Sequence, residues 1–261
     1  MSNITEKPDE KRTFKVWRGD KHSGEMKTYT AIISPGMVVL DAIHQIQATQ
    51  APDLACRWNC KAGKCGSCSA EVNGKPRLMC LTRMESLPEG DITVQPLKTF
   101  PNIRDLVTDV SWNYKVNKQI TPFTPPKKGQ AGVAEDGSLR MQQRDVERSQ
   151  EFRKCIECFL CQDVCHVLRD HEEHEQFIGP RFMVRIASLE MHPLDQADRE
   201  PFLKHQGNIG LCNITKCCTE VCPEHITITD NAIIPMKERI ADRYYDPLTM
   251  LWKMITGKSD T

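Results

Sequence analysis

The sequence predicts an α+β chain of two domains. Residues 1–110 form a small sheet domain, residues 141–261 an all-helical domain, and 111–140 connect them. Three observations predict this. Segments rich in β-branched and aromatic residues concentrate in the first part of the chain. Helical patterning dominates the last part. All but one of the 13 cysteines fall into three dense runs, one in the first domain and two in the second.

Taken in order, residues 14–18 (FKVWR) and 28–34 (TYTAIIS) read as strands by composition. Residues 38–47 read as an amphipathic helix, with Val39, Ala42, Ile43 and Ile46 on one face. A cysteine loop from Cys60 follows. Residues 68–72 and 77–81 flank Asn73-Gly74, a pair that favours a tight hairpin turn. Residues 91–97 offer a further strand. The stretch 121–137 (TPFTPPKKGQAGVAEDG) is rich in Pro and Gly and poor in apolar residues, so it reads as the connection. Helices are expected at 142–153, 182–190 and 233–243.

Bulk properties exclude several functions. Thirty-five basic and 35 acidic residues cancel, so no basic stripe argues for nucleic acid. The first residues, MSNITEKPDEKRTF, show no apolar signal core, no twin arginine and no transit pattern, so the expectation is a cytosolic, reducing setting. No uncharged apolar run reaches the roughly 18 residues that span a bilayer. The apolar segment 247–255 carries Lys253 and reads as a terminal docking helix. No Ser/His/Asp set or paired carboxylates point to hydrolysis.

The cysteine spacings carry the chemistry. Cys60-x4-Cys65-x2-Cys68, closed by Cys80, is the plant-type [2Fe–2S] spacing. Cys155-x2-Cys158-x2-Cys161-x3-Cys165 is the bacterial-ferredoxin run. Stepping by the same intervals from Cys212 gives Thr215, Cys218 and Cys222-Pro223, the same motif with threonine for one cysteine. In two-cluster ferredoxins the last cysteine of each run ligates the other cluster. Cys155, Cys158, Cys161 and Cys222 then form a complete set for [4Fe–4S]. Cys165, Cys212 and Cys218 form a three-thiolate set, suited to [3Fe–4S] or to [4Fe–4S] with a non-cysteine ligand. Cys217 adjoins Cys218 and reads as a bystander pointing elsewhere; Cys56 fits no ligand position and reads as a free structural thiol.

Soft thiolates suit iron–sulfur clusters. Gly63 and Gly66 let backbone approach closely, and Arg57, Lys61 and Lys64 put positive charge nearby, or are solvated loop charges. Zinc also takes four thiolates, and a non-redox zinc-held adaptor is the competing reading from a different class. His171-x2-His174 lies in DHEEHE and reads as a solvated face. His166 reads as a helix-surface or interface histidine.

A plant-type ferredoxin followed by a two-cluster ferredoxin resembles the iron–sulfur subunit of succinate dehydrogenase and fumarate reductase. Arg57-Trp58-Asn59-Cys60, Cys65-Gly66-Ser67-Cys68 and Val72-Asn73-Gly74 resemble the family's first cluster loop. Ile103-Arg104-Asp105-Leu106-Val107-Thr108-Asp109 resembles the segment after its first domain. The resemblance implies a β-grasp N-terminal domain and a helical ferredoxin domain. It implies [2Fe–2S], [4Fe–4S] and [3Fe–4S] clusters relaying electrons from the FAD of a flavoprotein subunit. The acceptor would be a quinone near the [3Fe–4S] cluster, at a transmembrane anchor subunit that holds the chain to the cytoplasmic face of a prokaryotic inner membrane. The dicarboxylate site would lie on the flavoprotein. A thiol-linked fumarate reductase or another flavoprotein dehydrogenase is the alternative assembly. The sequence departs from the family at His166 where many relatives have Pro, at Asn213 where some have His, and at Glu224 where Lys is frequent. Glu224 favours a lower potential, because negative charge disfavours a reduced cluster.

Overall fold

The computed structural model describes residues 10–247, Met250 and Ile255. Most of the expected 247–255 helix lies outside the described residues. Contacts divide the chain into two units: the first runs to Trp112 and includes Ile156–Val164 and Val221–Pro223, and the second is the remainder.

In the first unit, β1 (Glu10–Gly19) and β2 (Gly24–Ile33) pair antiparallel, with Phe14 opposite Tyr29. Asp20 Oδ1 closes their turn by accepting the His22 N–H at 2.8 Å and the Ser23 N–H at 3.1 Å. Helix α1 (Val39–Thr49) follows, and Asp41 Oδ2 accepts the Val38 N–H ahead of it at 3.2 Å. β3 (Ser69–Val72) and β4 (Lys75–Leu78) form the expected hairpin. Asn73 and Gly74 both have positive φ, 50° and 73°, as a tight turn of this hand requires. β5 (Ile92–Gln95) runs parallel to β1 and completes the order β2-β1-β5-β3-β4. Alternation along β1 sends Phe14 and Val16 inward, where they join Val72, Ile92, Val94 and the apolar face of α1 in one core. Burying each such side chain contributes about 1.5–3 kcal/mol.

β6 (Asn102–Arg104) and β7 (Val107–Thr108) flank Asp105, the acidic residue of the Arg104-Asp105-Leu106-Val107 segment. Its carboxylate is buried and accepts the Gly19 N–H at 3.0 Å, the Ala55 N–H at 2.8 Å and Arg18 Nε at 3.1 Å. One side chain thereby ties the β1–β2 turn to the chain entering the Cys60 loop.

Helix α2 (Ser111–Gln119) leads into the connection, which holds one isolated bridge, Val133 with Leu139. α3 (Gln143–Arg153) follows as the sequence predicts. The short α4 (Leu160–Asp163) belongs to the first unit. In the second unit come α5 (His166–Arg169), α6 (Pro180–Glu190), α7 (Glu200–His205), α8 (Cys217–Glu220) and α9 (Ile234–Tyr245), the last entered through a π-helical segment, Ile228–Ile233. α6 starts at Pro180, whose missing N–H costs nothing there, and buries Phe182, Met183, Val184, Ile186, Ala187 and Leu189. It packs on α3 and the π-helical segment. Arg199 is fully buried and joins the connection to this unit. It donates to the carbonyls of Thr121 (2.7 Å) and Pro122 (2.8 Å) and pairs with Asp195 (2.9 Å) and Glu190 (3.3 Å).

Candidate functional site

The Cys60 loop joins α1 to β3. Its backbone turns through left-handed conformations at Lys61, Gly63 and Gly66 (φ 53°, 67° and 68°). Two of the freed amides point at one sulfur: the Ala62 N–H donates to Cys60 Sγ at 3.4 Å and the Lys64 N–H at 3.3 Å. Burial raises the Cys65 thiol, but hydrogen bonds with Ser67 and Cys60 outweigh it and lower the thiol to about 7. Burial pushes Cys68 up to about 12, beside Cys80 and Cys65. The loop and the end of β4 thus bring Cys60, Cys65, Cys68 and Cys80 together. Gly66 is required here, since a Cβ on it would lie 2.5 Å from the Cys158 Cα.

The two later runs share one backbone path, displaced by 57 positions. Glu157 and Phe159 are left-handed in the first (φ 56° and 62°), Ile214 and Lys216 in the second (φ 59° and 62°). Each run then enters a one-turn helix, α4 or α8. The Asp163 N–H donates to the Phe159 carbonyl at 3.1 Å, and its counterpart Glu220 to Lys216 at 3.2 Å. The equivalence aligns Cys161 with Cys218, Thr215 with Cys158 and Cys217 with Leu160. Of the first complete set, Cys158, Cys161 and Cys222 belong to the first unit and Cys155 to the second.

Cys165, Cys212 and Cys218 line one cavity of the second unit, together with Thr215 and Cys217. Cys217 therefore does not point elsewhere: its Sγ lies 3.2 Å from Thr215 Oγ1, at hydrogen-bonding distance. The expectation rested on adjacency to Cys218, which does not fix where the side chain of Cys217 lies. Cys218 Sγ meets Thr229 Oγ1 at 3.5 Å, and Lys237 Nζ donates to the Cys212 carbonyl at 2.6 Å. Burial pushes Cys165 to about 11 and Cys218 to about 12, and each is raised further by the other cysteines of the cavity.

These donors fit an iron–sulfur group. Thiols held near 11 to 12 by burial stay protonated at neutral pH unless a cationic core binds their thiolates. Among the described residues, no three His, Cys, Asp or Glu side chains are placed to hold a single metal ion. Three thiols lining one cavity suit a cluster held by several thiolates. His166 is half-exposed and pairs with Asp170 (2.9 Å) one turn on. Lys61 Nζ sits 4.6 Å over the Trp58 ring and 3.3 Å from His44 Nδ1. The Cys56 thiol is raised to about 12 by burial alone.

Known proteins share both halves. Residues 13–115 match a 2Fe-2S iron-sulfur cluster binding domain, and residues 151–226 match a 4Fe-4S dicluster domain. The fumarate reductase iron-sulfur subunit of Escherichia coli is 31% identical over 72% of this chain and 75% of its own length. An uncharacterized iron-sulfur protein of Methanococcus maripaludis is 30% identical over 85% of this chain, which spans only 45% of that longer relative. The structure is similar to a chain of the Mycobacterium smegmatis Sdh1 complex in the apo form, at 64% identity and a TM-score of 0.87, covering 92% of this chain and all of that one. With its sheet and helical units, its thiol sets and these relatives, the chain belongs to the family of electron-transferring iron–sulfur subunits of succinate dehydrogenase and fumarate reductase.

Proposed function

We propose that the chain carries electrons between the FAD of a flavoprotein subunit and a quinone at a transmembrane anchor subunit, on the cytoplasmic face of a prokaryotic membrane. Among the described residues no helix is long and apolar enough to cross a bilayer, so the proposal assigns membrane attachment to the anchor. The observation that carries the reading is the gathering of thiols at the Cys60 loop and at the Cys165 cavity. Cys60, Cys65, Cys68 and Cys80 would hold [2Fe–2S]. Cys155, Cys158, Cys161 and Cys222 would hold [4Fe–4S], and Cys165, Cys212 and Cys218 the third cluster, [3Fe–4S].

The bound clusters supply one-electron oxidation and reduction. The protein's part is to set their charge environment. The Ala62 and Lys64 amides donate to Cys60 Sγ and stabilise negative charge there, which favours the reduced form. The Thr229 hydroxyl, 3.5 Å from the Cys218 sulfur, would donate to it once it is bound as a thiolate. The test is low-temperature EPR of the anaerobically purified complex, as isolated and after dithionite, with iron and acid-labile sulfide assays. Reduced signals from two clusters, an oxidised three-iron signal and roughly nine irons per chain are expected from these ligand sets. Zinc in place of iron would end the electron-transfer reading.

A further inference from the structure

We infer that Cys217 is a fourth thiolate for the third cluster and makes that site a receptor for one additional ferrous ion. The inference rests on the reading of this chain as an iron–sulfur subunit. The 57-position equivalence places Thr215 where the other run has Cys158. A threonine Oγ1 and a cysteine Sγ are both carried on Cβ, so Thr215 Oγ1 marks the corner a fourth thiolate would occupy. A neutral alcohol is a poor ligand for iron and a thiolate a good one. Cys217 Sγ lies 3.2 Å from that oxygen and lines the same cavity as Cys165, Cys212 and Cys218.

The equivalent position in the other run shows what an ordinary occupant looks like. Leu160 is 1% exposed and packs into the apolar core of the first unit. Cys217 is only partly buried and has a polar neighbour. Lys216, between residues 215 and 217, is left-handed just as Phe159 is in the other run, so it is the side chain at 217, short and polar-neighboured, that sets the two runs apart. With Cys217 bound, the Thr215 hydroxyl is placed to donate to its sulfur.

The balanced step takes the one-electron-reduced three-iron core: [3Fe–4S]0 + Fe2+ + Cys217–SH gives [4Fe–4S]2+ bound by the Cys217 thiolate, plus H+. The thiol proton is released, one Fe–S(thiolate) bond forms, and no electron beyond the initial reduction is needed. The four-iron core is a different cluster type from the three-iron core, so the potential of the site changes with its iron content. Iron supply would thereby set how readily the last site accepts electrons.

The test uses the intact complex, reduced anaerobically with dithionite and incubated with ferrous ion, then freed of excess metal and reoxidised mildly. Mössbauer spectra, iron per chain and the oxidised three-iron EPR signal are read for native protein, Cys217→Ser and Cys217→Leu. The native complex should gain about one iron per chain and lose the three-iron signal, as a completed [4Fe–4S] site requires. Both variants should keep that signal, with the [2Fe–2S] signal intact as the control for folding. Equal conversion in the variants, or none in the native protein, would overturn the inference and leave the electron-relay reading standing. Absence of any three- or four-iron cluster would overturn both.

Discussion

The runs beginning at Cys155 and Cys212 follow one backbone path but are held in it by different forces. In the first, Phe159 and Leu160 are buried in the sheet unit's core, and Phe159 meets Phe100 edge-on at 6.1 Å. Asp163 fastens its end by accepting the Thr99 N–H at 3.1 Å. In the second, Ile214 is 38% exposed and the fastening is polar. The Thr229 N–H donates to Thr219 Oγ1 at 3.0 Å, and Lys216 pairs with Asp230 at 2.8 Å. A cluster-binding turn is thus specified by its left-handed residues, while its surroundings decide which side chains remain available. Where an apolar wedge does the holding, position 160 is spent on packing. Where polar links do it, position 217 can carry a thiol.

The largest effect should come from removing the wedge. Leu160→Ala deletes a side chain that is 1% exposed. Lost burial and the cavity left behind should cost about 2–5 kcal/mol. Chemical denaturation of the complex reads the loss. A cost below about 1 kcal/mol would mean that burial is not what holds this run.

Next is the polar fastening of the other run. Thr219→Val keeps the shape but removes the acceptor for the Thr229 N–H and the partner of its hydroxyl at 3.0 Å. Thr229 is 1% exposed, so its N–H loses its acceptor away from water, at about 1–3 kcal/mol, and its hydroxyl is left with the Cys218 sulfur. The third cluster's EPR line should change while the [2Fe–2S] line does not. A variant as stable as the native protein, with all signals unaltered, would show that the polar links are ornamental.

A smaller effect separates the two runs by pH. Glu151, near the end of α3, accepts the Thr227 N–H and Asn231 Nδ2, each at 2.6 Å, and so braces the segment after the second run. Burial raises its pKa, but these hydrogen bonds outweigh that and lower it. A lowered folded pKa means stability that is complete at neutral pH and lost as pH falls through the folded value. Glu151→Gln should cost about 1–2 kcal/mol at pH 7. The gap to the native protein should close in acid, below the usual carboxylate range. A gap independent of pH would assign the effect to shape rather than charge.

Much of this was legible in the sequence because it is local. The Asn73-Gly74 hairpin, the apolar face of α1 and the helices α3, α6 and α9 follow from turn chemistry and periodicity over a few residues. The alignment of Thr215 with Cys158 was legible too, because ligand spacing reflects a fixed backbone path. The unread parts depend on partners far along the chain. α2 buries only Asn113 and Val116, too thin a stripe to announce a helix. Arg199 looks like any surface arginine until Glu190, Asp195 and two carbonyls surround it. That Ile156–Val164 belongs with the sheet unit required Gly66 and Thr99 as partners some 60 to 90 positions earlier. The approach of Cys217 to Thr215 spans Lys216, whose left-handed dihedral angle the sequence does not show.

That dihedral supplies the subtlest prediction. Lys216 adopts φ 62°, which costs a residue with a Cβ about 1–2 kcal/mol relative to glycine. Its pair with Asp230 is solvent-exposed on both sides and returns about 0–1 kcal/mol. Lys216→Ala removes the pair but keeps the strain, whereas Lys216→Gly removes both. In an ordinary conformation alanine is the more stable of the two, by about 0.4–1 kcal/mol through the unfolded chain's entropy. Here the order should invert, with the glycine variant ahead by about 1 kcal/mol. Phe159, at the equivalent position of the other run, has the same φ but is 6% exposed, so Phe159→Gly should be destabilising despite the relieved strain. Denaturation of the three variants therefore reads the shared backbone and the opposed surroundings in one experiment. If alanine outranks glycine at position 216, the left-handed turn that brings Cys217 to the third site is not held in solution.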